Sequence, residues 1–224
     1  MKVLVICSGG LDSTTLVYDA VEKNGDTVGM VTFDYGQRHK WEIEHAKRTA
    51  TKLRIQHFIV TLPIGQLLPG SALTDATVSV PEKDYTEETL AVTVVPNRNA
   101  IMLSVAAGIA NAHGYQTVYA GMHGADHAVY ADCRPEFVNA FSAAMELACG
   151  ITIQAPYVML DKADIASIGA RLKVPYEDTY SCYNGREKHC GVCSTCRERH
   201  RAITAALISD PTSYEQSPQV SDAA

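Results

Sequence analysis

Six residues, Ser8-Gly9-Gly10-Leu11-Asp12-Ser13, carry the side chains and backbone freedom that hold an anion. Two glycines let the chain approach a phosphate closely. Hydroxyls of Ser8, Ser13 and Thr14 and successive N–H groups can donate to its oxygens, and a following helix adds the favourable end of its dipole. Asp12 would repel phosphate unless a cation such as Mg²⁺ stood beside it. The segment lacks both the Gly-Lys-Ser/Thr ending of a γ-phosphate-transferring P-loop and the G-x-G-x-x-G of a dinucleotide site, so it points to a different nucleotide chemistry.

A second cluster lies near the other end of the chain. Cys182, Cys190, Cys193 and Cys196 place four soft ligands in a short stretch, with Gly191 supplying a turn. Four thiolates at this spacing suit tetrahedral Zn²⁺, and a closed shell stabilises structure rather than activating water. An iron–sulfur cluster draws on the same ligand set. The total of 7 cysteines is odd, which favours a metal site in a reducing compartment over a disulfide framework.

Positioning these groups requires a scaffold. Residues 3–7 form an apolar run that stops at the Ser-Gly-Gly loop, as a buried strand does, and 13–24 reads as a helix. A strand over 27–33, helical spacing of Ile43, Ala46, Ala50 and Leu53, and a strand over 56–60 continue the alternation, which implies a parallel sheet. Pro63, Pro69, Pro81 and Pro96 punctuate a stretch without periodicity, so 62–96 is expected to be a surface excursion carrying the acidic Glu82, Asp84, Glu87 and Glu88. A helix to about His113, a strand over 117–120, a helix opened by Pro135 and another capped by Asp161 follow. From Asp210 onward a frayed tail is expected.

With 224 residues, 46% hydrophobic and 20% charged, the chain can bury a full core. A net charge of -6 argues against a broad nucleic-acid surface. The N-terminal apolar run is too short for a signal peptide or a membrane span, so the reading is cytoplasmic with no membrane partner.

The loop resembles the S-G-G-x-D-S motif of the PP-loop family, whose members cleave ATP to AMP and pyrophosphate while adenylating an oxygen. Four further stretches narrow the resemblance: Phe33-Asp34-Tyr35-Gly36-Gln37-Arg38-His39, Val95-Pro96-Asn97-Arg98-Asn99, Asp132-Cys133-Arg134-Pro135-Glu136-Phe137 and Cys182-Tyr183-Asn184-Gly185. Together they resemble the 7-cyano-7-deazaguanine synthase family over residues 1 to about 209.

That resemblance implies an α/β fold of the adenine nucleotide alpha hydrolase type, a Rossmann-like parallel sheet with helices on both faces. It places a nucleotide-binding domain at 1–175, a four-cysteine zinc-binding and helical region at 176–209 and a disordered tail at 210–224. It further implies conversion of 7-carboxy-7-deazaguanine and free ammonia to the nitrile with ATP, Mg²⁺ and Zn²⁺, by a homodimer that contacts no nucleic acid. The ATP-binding segment carried over is Cys7, Ser8, Gly9, Gly10, Leu11, Asp12, Ser13, Thr14, Thr15, Leu16 and Val17.

Because this loop has no lysine, positive charge must come from elsewhere. Asp12, Ser13, Arg98, Arg134 and Lys162 are the catalytic candidates, and Arg38, Arg98, Asn99 and Arg134 the substrate candidates. Asn99 also has the type of a helix cap. His39, His123 and His127 receive no role, and Cys133 reads as a small buried hydrophobe. Two departures, Asn97 where many family members carry Gly and the segment 124–131, bear on whether the reaction reaches the nitrile or stops at the amide. Ligation to another amine, a non-catalytic nucleotide or tRNA-binding module and a tRNA-thiolating enzyme are the remaining alternatives.

Overall fold

The computed structural model describes residues 1–83, 86–124 and 130–219. Five parallel strands form one sheet: β1 (Val3–Ile6), β2 (Val28–Asp34), β3 (Gln56–Thr61), β4 (Thr117–Tyr119) and β5 (Thr152–Gln154), in the order β3-β2-β1-β4-β5. Both faces are covered, which is why β1 and β2 are apolar without a polar side. Successive side chains of β1 part company: Val3 and Val5 enter one core with α1 (Leu11–Asn24), α2 (Trp41–Leu53) and α7 (Lys162–Arg171). Leu4 enters the other, with α5 (Arg98–Ala112) and α6 (Pro135–Cys149). The strand order reverses between β1 and β4, so the crevice beyond their carboxyl ends is where a parallel sheet of this kind binds ligands.

The stretch 62–96 differs from the expected surface excursion. It contains α3 (Ile64–Leu67) and α4 (Glu87–Ala91), and Ile64, Ala72, Leu73, Val80 and Val95 are buried. Its apolar residues anchor an irregular loop one at a time, so they show no period. Asp84 and residues 125–129, which include His127 and most of the divergent segment, lie outside the described residues.

Asn99 does not cap α5. The cap position is Asn97, in the left-handed region at φ 56°, and it makes no side-chain cap bond. Glycine reaches that conformation without strain and asparagine tolerates it better than most residues, so the departure from the family pattern at Asn97 preserves the backbone.

The expected tail also differs over 210–219. Asp210 accepts hydrogen bonds from the Thr212 N–H (3.0 Å) and the Tyr214 hydroxyl (2.9 Å) and pairs with His200 Nδ1 (2.8 Å). The His189 and Glu215 N–H groups bond the carbonyls of Ser213 and His189. These contacts fasten the segment onto the cysteine-rich region, beside α8 (Ser194–Ala205). Among the described residues no helix is long and apolar enough to cross a membrane.

Candidate active site

The loop after β1 and the loop after β4 meet at a cavity of about 460 Å³. Ser8, Asp12 and Ser13 of the Ser-Gly-Gly-Leu-Asp-Ser segment form part of its wall. Gly9 sits at φ 91°, and a Cβ there would fall 2.1 Å from the Glu42 carbonyl oxygen, so the close packing of this loop on α2 admits only glycine. The Ser13 hydroxyl accepts from the Ser8 N–H (3.1 Å) and lies 3.1 Å from the Ser8 hydroxyl, and Ser8 Oγ accepts from the Gly10 N–H (3.3 Å). These groups form a preorganised set of donors at the start of α1, where the helix dipole favours an anion.

Of the segment expected to bind ATP, Cys7, Ser8, Asp12 and Ser13 line the cavity. Leu11, Leu16 and Val17 are buried in the core, where they hold α1 against the sheet, and Thr14 and Thr15 are buried beside them.

Charge converges on Asp12. Lys162 Nζ lies 3.3 Å from Asp12 Oδ2 and 2.5 Å from Glu198 Oε2, and His123 Nε2 lies 3.9 Å from Asp12 Oδ2. Asp12 Oδ1 is buried and makes no hydrogen bond among the described residues, which fits a carboxylate with a ligand position to spare for a hard cation. Lys162 opens α7, whose cap is a reciprocal pair: Asp161 Oδ1 accepts from the Asp164 N–H, and Asp164 accepts from the Asp161 N–H. The cap fixes where α7 starts and hence where the lysine projects.

The candidates from the sequence separate into two groups. Asp12, Ser13, Arg98, Asn99 and Lys162 line one cavity. Arg38 and Arg134 do not line it. Arg38 donates to the Asp75 and Val78 carbonyls (2.8 and 3.1 Å), so it holds the 62–96 loop, and Arg134 is exposed. Arg98 instead lies inside, its guanidinium 5.8 Å from the Tyr35 ring centroid and donating to Asn99 Oδ1, while Asn99 Nδ2 donates to Cys133 Sγ at 3.2 Å.

Sequence reasoning missed most of the remaining wall. Glu42, Tyr35, Tyr183 and Tyr130 line the cavity with His39 and Cys133. Burial pushes the Glu42 carboxyl up to about 8, against the opposing bond from Gln37 and the Arg98 charge. Burial, reinforced by Arg98 and Arg38, pushes His39 down to about 3. Their side chains approach to 3.6 Å as a neutral pair. Thr195, Glu198 and Arg201, at helical spacing on α8, complete the opposite side. The spacing was visible in the sequence, but which face of α8 turns inward depends on the cysteines at its start.

Those cysteines converge. The Sγ atoms of Cys182, Cys190, Cys193 and Cys196 lie within 4.8 Å of one another, all buried. A tetrahedral shell with bonds of about 2.3 Å requires sulfur–sulfur separations of roughly 3.8 Å, and Cys190 and Cys196 are 3.9 Å apart. The N–H groups of Cys190 and Cys193, Asn184 Nδ2 and the Thr195 hydroxyl all approach these sulfurs at 3.3–3.4 Å. Donors around the sulfurs favour thiolates and suit a four-coordinate metal.

A parallel sheet whose first strand ends in this loop, above a carboxylate and a lysine, defines a PP-loop nucleotide-binding protein. An NMN synthetase from Francisella tularensis has the same fold, with a TM-score of 0.50 and 15% identity over 99% of this chain and 79% of that one. The family model for queuosine biosynthesis protein QueC matches residues 2–207. A 7-cyano-7-deazaguanine synthase from Chelativorans sp. (strain BNC1) is 49% identical over 221 residues, 96% of this chain and 94% of the relative. One from Rhizobium rhizogenes is 48% identical over 220 residues, 96% and 92% of the two chains. The chain belongs to the QueC family.

Proposed function

We propose that this chain is an ATP-dependent ligase that converts 7-carboxy-7-deazaguanine and ammonia to 7-cyano-7-deazaguanine. One observation carries the reading beyond family membership: Ser8 and Ser13 of the phosphate loop, Asp12 and Lys162 line the same cavity as the aromatic residues Tyr35, Tyr130 and Tyr183.

The chemistry follows from the electrophile. A carboxylate oxygen attacks the α-phosphorus of ATP, the bond to pyrophosphate breaks, and an acyl adenylate forms. Ammonia adds to the acyl carbon and AMP leaves, giving the amide. The amide oxygen then attacks the α-phosphorus of a second ATP, the bond to pyrophosphate breaks again to give an O-adenylated imidate, and loss of AMP with both N–H protons leaves the nitrile. Little of this needs a covalent contribution from the protein, whose work is positioning and charge stabilisation.

Ser8, Ser13 and the loop N–H groups hold the phosphates, and Lys162 meets the charge that develops on departing pyrophosphate. Asp12, with its buried Oδ1, would hold Mg²⁺, which when bound neutralises phosphate charge. Arg98 and Asn99 face the acid. The four cysteines bind Zn²⁺ as a closed structural site.

The protein works as a cytoplasmic homodimer. Support for the dimer comes from α6, where Ala140, Ala143, Ala144, Leu147 and Ala148 are exposed together and Leu147 is 91% exposed. Neighbouring α5 is apolar on nearly every side, as a helix covered by a further layer is. Unbridged thiols in a buried cluster support a reducing compartment.

The test is incubation of folded, metal-loaded protein with ATP, Mg²⁺, ammonium and 7-carboxy-7-deazaguanine, with AMP and the base followed by mass spectrometry. Nitrile with two AMP per product is expected. Amide with one AMP would overturn the nitrile step, and AMP formation that ignores the acid would overturn the whole assignment.

A further inference from the structure

Glu42 lies in the first turn of α2 and reaches the cavity from a fixed platform. Gln37, fully buried, donates from Nε2 to Glu42 Oε1 (2.8 Å) and to the Phe33 carbonyl (3.0 Å), while its Oε1 accepts from the Tyr35 N–H (2.8 Å). Every polar atom of that glutamine is committed to orienting the carboxyl group. The second oxygen, Oε2, has no hydrogen bond among the described residues; its polar neighbour is His39 Nε2 at 3.6 Å, beyond hydrogen-bond distance. Burying a carboxyl group, holding one oxygen and presenting the other to an open cavity is costly unless a ligand completes it.

The walls around it are flat. The His39 and Tyr183 rings lie 5.4 Å apart, and Tyr35 stands edge-on to His39. A planar heterocycle inserted here would present an edge to Glu42. The 2-aminopyrimidin-4-one edge of a deazaguanine carries two adjacent donors, the ring N–H and the exocyclic amine, which match the paired acceptors of a carboxylate. Adenine carries one donor and one acceptor on the corresponding edge, so ATP's own base fits this group poorly.

We infer that Glu42, oriented by Gln37, is the specificity-determining residue that reads the two-donor edge of the deazaguanine substrate. The inference rests on the proposed function for its substrate class. It assigns a place to a carboxyl group that adenylation and amination do not otherwise use. Burial keeps this carboxyl protonated near neutral pH, so accepting both donors goes with release of its proton to solvent.

The experiment compares kcat/KM for 7-carboxy-7-deazaguanine and its analogue lacking the 2-amino group, in wild type and in Glu42→Gln. The amide introduced by that substitution can still accept from Gln37 but turns a donor toward the substrate's donors. Wild type should prefer the amino-bearing acid by roughly tenfold to a hundredfold, the range for leaving a buried charged acceptor unpaired. In Glu42→Gln that preference should collapse to within about threefold, with KM for ATP unmoved.

A preference that survives the substitution would overturn the inference, as would an effect confined to KM for ATP or for ammonium. Glu42→Asp, which keeps the charge but withdraws it by one methylene, should retain the preference at reduced kcat/KM. It also supplies the answer if Glu42→Gln does not fold. Should wild type itself form no AMP with the acid, the proposed function fails first; should wild type turn over and the variants discriminate alike, only the role of Glu42 falls.

Discussion

Replacing Lys162 with glutamine removes a cation that lines the cavity beside Asp12 of the phosphate loop. Its Nζ lies 3.3 Å from Asp12 and 2.5 Å from Glu198, and its side chain is 16% exposed, so solvent screens it only partly. If Lys162 meets the charge on departing pyrophosphate, its loss removes an interaction strongest in the transition state. Such contacts contribute about 3–4 kcal/mol, or roughly 10²–10³ in rate. The substitution also takes the ammonium away from between Asp12 and Glu198, which leaves more negative charge facing the polyphosphate and should raise KM for ATP as well. The pair is at the surface of the cavity rather than in the core, so the thermal midpoint should move by no more than about 4 °C, the equivalent of ~1 kcal/mol in a chain of this size. The assay is single-turnover AMP formation at saturating ATP and acid, with Lys162→Arg as the charge-conserving control. Activity within threefold of wild type in folded Lys162→Gln would refute the placement of that lysine on the reaction path.

Two other expectations follow from the same site. The neutral pair of Glu42 and His39 gives stability a pH signature. His39, held down near 3 by burial, loses stability as pH falls from its unfolded value of 6.5, while Glu42, held up near 8, loses it as pH rises from 4.5. The opposing slopes cancel between those unfolded values. Above pH 6.5 the glutamate alone acts, at about 1.4 kcal/mol per pH unit. Urea unfolding should therefore weaken by about 2 kcal/mol from pH 6.5 to 8 in wild type and not in Glu42→Gln; equal slopes in both would refute the neutral pair. If the four cysteines hold Zn²⁺ as proposed, chelation should abolish acid-dependent AMP formation together with the near-ultraviolet circular dichroism of the C-terminal region. A structural Zn²⁺ contributes about 10 kcal/mol, as much as the whole stability of many domains. Chelated protein that retains its melting temperature would show that the cysteines pack without a metal.

What the sequence made legible was what lies contiguous in it. The phosphate loop and the four cysteines each fit in a short segment, and a buried parallel sheet announces itself by apolar strands alternating with helical spacing. What stayed hidden depends on which way a side chain faces. Arg38 and Arg98 both lie in segments that resemble the family, yet the turn after β2 sends one to the carbonyls of Asp75 and Val78 and the start of α5 sends the other into the cavity. Glu42 reads as one more charge on a helix of ordinary amphipathic pattern. The buried Gln37, five residues earlier, is linked to it by a side-chain bond that no sequence pattern announces. The loop at 62–96 and the segment at 210–219 escape a sequence reading for a common reason: isolated anchors such as Leu73 and Tyr214 carry no periodicity.

The cysteine region and the phosphate loop form one mechanical unit. The Gly9 carbonyl inside the loop accepts from the Tyr180 N–H at 2.9 Å, and Tyr180 stands two residues before Cys182. Arg199, 1% exposed, donates to the Tyr176 carbonyl and to the hydroxyls of Thr179, Ser181 and Thr212, binding α8 to the strip that carries Tyr180. The same helix presents Glu198 to Lys162. A closed four-cysteine shell has no open position for substrate, but it can fix both the backbone under the phosphates and the wall opposite them. That arrangement explains why a four-cysteine cluster far from the loop in sequence accompanies it in the fold: the region supplies the positional accuracy that a reaction driven by charge placement requires.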